Sequence, residues 1–283
     1  KYPVTEGAPY NKVVYTSEAD DVTFKFDVKK AGMYNIILYY HTVKGKDINI
    51  VREIQVNGKT PFVNATECTF TRSFADQLVE REDGTKGFKV DYLGNEIRPD
   101  QVETYQWKSQ YVVDYLGYTQ DPLKFAFKKG ENTISLNAVK EPVVIGKIEI
   151  VPIKKTDDYA TYIKQYSGAK KYSGEEIFME GESASEKSDK TLYPSVDVST
   201  ASTSANGKTT DAYVQSVNVI GGTNWQYVQQ AVTWTVGDNV KPGLYALNFK
   251  YRQNVNDGMR SPRRLYINGE VPFSEAKALE FGY

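Results

Sequence analysis

The chain has 283 residues, enough for two domains that each bury a core, and its formal charge of −1 excludes the broad positive field of a nucleic-acid or anionic-membrane binder. One cysteine, Cys68, excludes an intramolecular disulfide, and one cysteine with one histidine excludes a zinc site of the Cys/His type. With 22 tyrosines and many Thr and Val residues, the composition favours sheets over helices.

Residues 22–26 (VTFKF) alternate as a half-buried strand, and Gly32 turns the chain into the next. Segments 33–41 and 49–56 read as a strand pair, followed by Asn57-Gly58, a two-residue hairpin signal because both positions take positive φ. Residues 86–118 are polar and aromatic with weak periodicity, which predicts a long loop. Strands are expected again at 123–127, 133–139 and 144–151. Thr156 can cap a short helix that Gly168 stops, with Asp157 and Asp158 at its positive end. A Ser/Thr-rich run at 199–210 predicts a surface loop, and strands follow at 227–236, 244–251 and 263–268.

Residues 32–72 align without a gap to 243–283, at a constant offset of 211, with ten of 41 positions identical. Among the identities are Tyr34/Tyr245, Tyr40/Tyr251, Arg52/Arg263, Asn57/Asn268, Phe62/Phe273 and Phe70/Phe281. A match of apolar on apolar and turn on turn implies two copies of one fold. The expected organisation is all-β: a first β-sandwich module at 1–153, a short helical linker at 154–172 and a second module at 173–283. Measured against each other, the first copy is short at its start and the second at its end. The second sandwich is therefore expected to lack its C-terminal strands and to expose an open sheet edge, through which oligomers can form.

Lone His41 lacks the nucleophile and orienting acid that a catalytic base needs, so a structural or surface role is expected. Cys68 reads as a buried, inert thiol. No motif fixes a pair of carboxylates at glycosidase spacing, which leaves enzyme activity a minor alternative. The aromatic loops carry more. Sugars present apolar C–H faces ringed by hydroxyls, and a site for them wants a flat aromatic ring beside a few amide, guanidinium or carboxylate groups. Trp107 with Tyr105, Tyr111, Arg98 and Gln101 forms one such set, and Trp225 with Asn224 a second; the competing reading of both tryptophans is core packing. Trp234, inside alternating VTWTV, reads as core. Glu180 and Glu182, two residues apart on an expected strand, would share a face and could hold calcium, with solvated strand charges as the alternative. Asn64-Ala65-Thr66 matches a glycosylation sequon.

The stretches REIQVNGKTPF, GNEIRPDQVE before Trp107, PLKFAFKKGENTISLNAVKEPVVIGKIEIV, IFMEGESAS, IGGTNW and RRLYINGEVPF resemble a known family. They look like the tandem jelly-roll, galactose-binding-like, carbohydrate-binding-module-type sandwiches of extracellular solute-binding proteins from Gram-positive ABC sugar transporters. The resemblance implies a non-catalytic carbohydrate-binding pair at the cell surface, with a membrane-anchored transporter partner reached through parts of the chain outside this sequence. It also implies an acidic opening strand in each copy, matched here only by Glu180 and Glu182. The alternative function is a structural or protein-interaction sandwich that positions a neighbouring domain.

Overall fold

A computed structural model describes residues 8–199, 213–237, 240–255 and 257–283. The expected loop at 199–210 lies, beyond Ser199, outside the described residues. In chain order the strands run β1 (Val14–Thr16), β2 (Val22–Val28), β3 (Gly32–Thr42), β4 (Ile50–Val56), β5 (Cys68–Phe70), β6 (Phe74–Asp76), β7 (Val79–Glu80), β8 (Lys86–Gly87) and β9 (Gln101–Glu103). They continue with β10 (Trp107–Tyr111), β11 (Phe125–Phe127), β12 (Gly130–Lys140) and β13 (Val143–Pro152). Helix α1 (Tyr159–Lys164) precedes β14 (Glu186–Lys187), β15 (Pro194–Ser195), β16 (Val219–Ile220), β17 (Val232–Thr233), β18 (Ser261–Arg263) and β19 (Leu279–Phe281).

Two antiparallel sheets form a β-sandwich. One has the order β1-β13-β3-β10 with β11 also on β3, and the other has the order β2-β12-β4-β5. Alternation decides what lies between them. Ile36, Leu38 and Tyr40 of β3 point inward with Val143 and Ile145 of β13, and meet Ile54, Ile134 and Leu136 of the opposite sheet. Each such side chain contributes roughly 1.5–3 kcal/mol when fully buried. Asn57 (φ 51°) and Gly58 (φ 74°) make the expected tight turn, closed by hydrogen bonds between Val56 and Lys59. Cys68 is 1% exposed, and burial pushes its thiol up to about 12. A thiol reagent at pH 8 is therefore expected to leave Cys68 unmodified in the native chain and to label it stoichiometrically in denaturant; rapid native labelling would contradict this packing.

The chain divides into two compact units, one of Lys1–Ile153 with Met179–Thr235 and another of Lys154–Phe178 with Val236–Tyr283. The first break falls at the expected 153, whereas 179–235 groups with the first unit instead of a separate module from 173, and a polar seam explains why. Buried Lys187 pairs with Asp76, and Lys108 pairs with Glu186 at 2.7 Å. Ser73 Oγ donates to the same Glu186 at 2.6 Å, and β14 lies between β6 and β17 in a third sheet. Charges buried this deeply are stable only when paired, so 179–235 is tied to the first unit.

Four local expectations are corrected. The long loop at 86–118 contains β8, β9 and β10, because Trp107–Tyr111 pairs along β3. The strand expected at 227–236 shrinks to β17, because Gln230 Oε1 accepts from the Gln226 and Tyr227 amides and Gln229 turns to φ 66°. Helix α1 is capped by Asp158, whose carboxylate accepts from Thr161 N at 2.7 Å, rather than by Thr156. In the second unit β18 pairs with β19, while the strand expected at 244–251 has only an isolated bridge between Lys171 and Leu244.

Candidate functional site

The residues of β3 that face away from the core are Ile37, Tyr39 and His41. Register on β10 sets Trp107 beside His41, Ser109 beside Tyr39 and Tyr111 beside Ile37. On the other flank β13 brings Lys147 beside Tyr39 and Glu149 beside Ile37. The outer face of this sheet thus gathers Trp107, Tyr39, His41 and Tyr111 with a cation and a carboxylate, and Tyr10 lies against it.

The rings are held in fixed relation. Tyr10 meets Trp107 edge-on at 5.0 Å and Tyr39 at 6.2 Å, and His41 meets Trp107 at 5.3 Å. Gly146 makes the arrangement possible: a Cβ there would lie 2.6 Å from the Trp107 ring and 2.4 Å from the Tyr10 ring. This glycine also sits where β13 shifts register against β3, between Ile145 and Lys147. Gly146→Val is therefore expected to destabilise the fold by about 1–3 kcal/mol and to change the near-ultraviolet dichroism of Trp107. An unchanged spectrum and midpoint would show that the rings do not depend on it.

Electrostatics lock the polar half of the face. The Tyr39 hydroxyl donates to Glu149 Oε2 at 2.8 Å, Lys147 Nζ lies 3.1 Å from the same carboxylate, and it also lies 5.0 Å from the Tyr39 ring centroid. The bond to Glu149, with some burial, pushes Tyr39 up to about 12. Hydrogen bonds from Tyr39 and Lys147 hold Glu149 below the usual carboxylate range. Burial lowers His41, whose Nδ1 lies 2.6 Å from Thr42 O. Above the ordinary histidine range the face therefore keeps a single protonation state: protonated Tyr39, ionised Glu149, neutral His41. Tyr111 is 39% exposed and Trp107 half-buried, so aromatic surface remains open to solvent.

Of the residues expected in the first aromatic set, only Trp107 and Tyr111 share this face. Tyr105 follows β9, and its hydroxyl is raised by burial and by Glu103. Arg98 stacks on Tyr193 at 4.2 Å, and Gln101 Nε2 donates to Asp76 in the third sheet. In the second set Asn224 ends a 3₁₀ turn, and Trp225 Nε1 donates to Gln230 O at 3.1 Å. Trp234, expected in the core, is half-buried and donates to Gly181 O at 3.1 Å. Tyr39, Lys147 and Glu149 escaped sequence reading because their convergence depends on strands more than 100 residues apart, and Tyr10 because it lies outside the strands. A glycine inside the apolar run VVIGKIEIV was the available signal.

Glu180 and Glu182 do not lie on a strand; Glu180 caps a 3₁₀ turn at Gly181–Ser183 and Glu182 lies within it, so alternation does not align them. Burial raises Glu182, with Glu180 and Glu96 adding to the shift, and its Oε2 is buried without a protein partner. Among the described residues no three His, Cys, Asp or Glu side chains gather as a metal-holding group. A shallow cleft of about 540 Å³ is lined by Val79, Arg81, Phe88, Val90 and Glu96, with Arg81 bound to Glu96 at 2.9 Å.

No family model matches the chain, and no curated protein matches it. Among solved structures, it is similar to a family 35 carbohydrate-binding module from Clostridium thermocellum, with 12% identity and a TM-score of 0.25, over 50% of this chain and 90% of that one. It is also similar to a β-(1,4)-mannanase from Podospora anserina built of GH26 and CBM35 parts, with 11% identity and a TM-score of 0.28, over 58% of this chain and 31% of that one.

Proposed function

We propose that the chain is a non-catalytic carbohydrate-binding protein whose sugar site is the outer sheet face of Trp107, Tyr39, Tyr111 and Tyr10, with Lys147 and Glu149 as polar partners. The observation that carries this reading is the supply of part-exposed rings, packed edge to face, and a hydrogen-bonded ion pair on one face of the sheet. Aromatic faces stack on sugar C–H faces, and Glu149 and Lys147 accept from and donate to hydroxyls. In this reading the protein acts outside the cell, next to a membrane-anchored sugar-uptake partner, as the sequence resemblance implies. No described helix is long and apolar enough to cross a membrane.

The test is calorimetric titration of the intact chain with a panel of soluble plant and bacterial polysaccharides. Saturable binding without release of reducing ends is the expected result; turnover, or a panel without a single binder, would overturn the proposal. Because Tyr39, Glu149 and His41 do not titrate there, isotherms are expected to superimpose from about pH 7 to 9. Below about pH 6.5 the sign reverses for stability: the unfolded chain takes up the His41 proton before the folded one, so the melting temperature falls.

We further propose calcium as the ion held near Glu182 and Glu180, supported by the orphaned Glu182 oxygen. Calcium takes oxygen donors, and the rest of its coordination shell would come from carbonyls and water. Millimolar Ca²⁺ is expected to raise the melting temperature of the chain but not of Glu182→Gln, and equal responses would remove the site.

A further inference from the structure

Strand β2 (Val22–Val28) is an edge of the β2-β12-β4-β5 sheet: among the described residues it pairs with β12 alone. Its sequence alternates, with Phe24 and Phe26 half-buried toward the sandwich interior and Thr23, Lys25 and Asp27 exposed on the outer side. A seven-residue edge with one row of main-chain groups free is a template for another strand unless charge or cover forbids it.

Two further observations mark this edge. A cavity of about 230 Å³ lies beside it between the two sheets, lined by Phe24, Phe26, Ile134, Ile148, Ile150 and Lys25. Strand β1 covers β13 only at Val143–Ile145, so among the described residues the stretch with Ile148 and Ile150 has β3 on one side and no strand on the other. On the outer side, Asp27 lies directly opposite Glu131 of β12, both exposed, a like-charge pair that a cation on the free flank of Asp27 would offset.

A second copy of β2 supplies that cation, and charge selects how it pairs. Inner and outer residues must keep their own sides, so an antiparallel self-pairing has its two-fold axis at a residue and not between two. An axis at Lys25 sets lysine on lysine, and an axis at Asp27 sets aspartate on aspartate. An axis at Phe24 brings Asp27 opposite the partner's Asp21. Only an axis at Phe26 avoids like charges: it sets each Lys25 opposite the partner's Asp27 and each Phe24 opposite the partner's Val28. The two Phe26 side chains, each lining its own cavity, then meet at the axis.

We infer that β2 docks on β2 of a second copy of this chain, antiparallel about a two-fold axis at Phe26, joining two β2-β12-β4-β5 sheets edge to edge. The interface is isologous, so each Lys25–Asp27 contact occurs twice. Main-chain hydrogen bonds and the inner-face Phe24, Phe26 and Val28 supply affinity, and the two charge pairs supply register. Lysine on an edge strand ordinarily blocks such pairing; here an acid two residues along turns the same lysine into a register mark. The contact lies at the small end of specific interfaces, and a dissociation constant of about 10–100 µM is expected.

The test is sedimentation velocity of the full chain from about 5 to 500 µM, with hydrogen–deuterium exchange at both ends of that range. A reversible dimer is expected, with exchange in 22–28 slowed at the higher concentration. Lys25→Asp and Asp27→Lys each turn two attractive contacts into two repulsive ones and are expected to weaken the dimer by at least about tenfold. The double variant Lys25→Asp/Asp27→Lys restores opposite charges about Phe26, whereas about residue 25 it would only exchange a lysine pair for an aspartate pair. It is expected to return to within about threefold of the wild-type dissociation constant. Both side chains are exposed, and melting curves run alongside separate loss of pairing from loss of fold. A chain that stays monomeric at about 500 µM would overturn the inference. So would a dimer that the single substitutions leave intact, one that leaves exchange in 22–28 unchanged, or a double variant no better than the single ones.

Discussion

Arg72→Ala is expected to lose about 3–5 kcal/mol of folding free energy. The Arg72 side chain is fully buried and pairs with both Glu141 and Glu103. Its Nε also donates to Ile48 O at 2.7 Å and its Nη1 to Val43 O at 2.8 Å. Truncation would orphan two carbonyls and leave the Glu141 carboxylate, itself fully buried, without a cation. The Lys46 amide, 2.9 Å from Glu141 Oε2, is the one donor left to it in that corner. A neutral methionine would restore volume but not the pairing, so Arg72→Met is expected to recover only a small part of the loss. Urea titration followed by far-ultraviolet dichroism measures both; a loss below about 1 kcal/mol would mean that water enters and solvates the carboxylates.

Trp107→Ala is expected to weaken carbohydrate binding by at least about 2 kcal/mol, or about thirtyfold, while changing stability far less than Arg72→Ala. The indole is half-buried on the outer face, so its removal takes away ring surface without opening the core. It also releases Tyr10 and His41, which meet Trp107 at 5.0 and 5.3 Å, so the platform loses its order together with its largest ring. Trp107→Phe keeps a flat face and is expected to retain most of the affinity. Paired titrations of the three chains with one polysaccharide, with melting curves run alongside, separate loss of site from loss of fold. A Trp107→Ala chain that binds as wild type and melts as wild type places the site elsewhere.

How far the sequence carried depended on the range of the interaction. Alternation in 22–26 and 33–41 and the Asn57-Gly58 turn are local, and all three are in the structure. The repeat was legible too, down to strand register and ring pairs, because the same short-range packing was written twice. Long-range pairing was not. Trp107 looked like a loop residue because WKSQY lacks apolar alternation, and only the ladder on β3 makes it a strand. Nothing in the local sequence marks Lys187 for burial, yet it is fully buried beside Asp76, and this pair ties its segment to the first unit. Arg98 and Gln101 have the right chemistry for a sugar, but Tyr193 and Asp76 already engage them. The strand expected at 244–251 has the pattern of β3, but among the described residues it makes only the bridge from Leu244 to Lys171.

Affinity electrophoresis of wild type, Trp107→Ala and Trp225→Ala through gels containing a binding polysaccharide tests the central claim most directly. With the sugar site on the outer sheet face, Trp107→Ala loses retardation while Trp225→Ala, whose indole is held on Gln230 O, migrates like wild type. Loss of retardation in Trp225→Ala with retention in Trp107→Ala would contradict it.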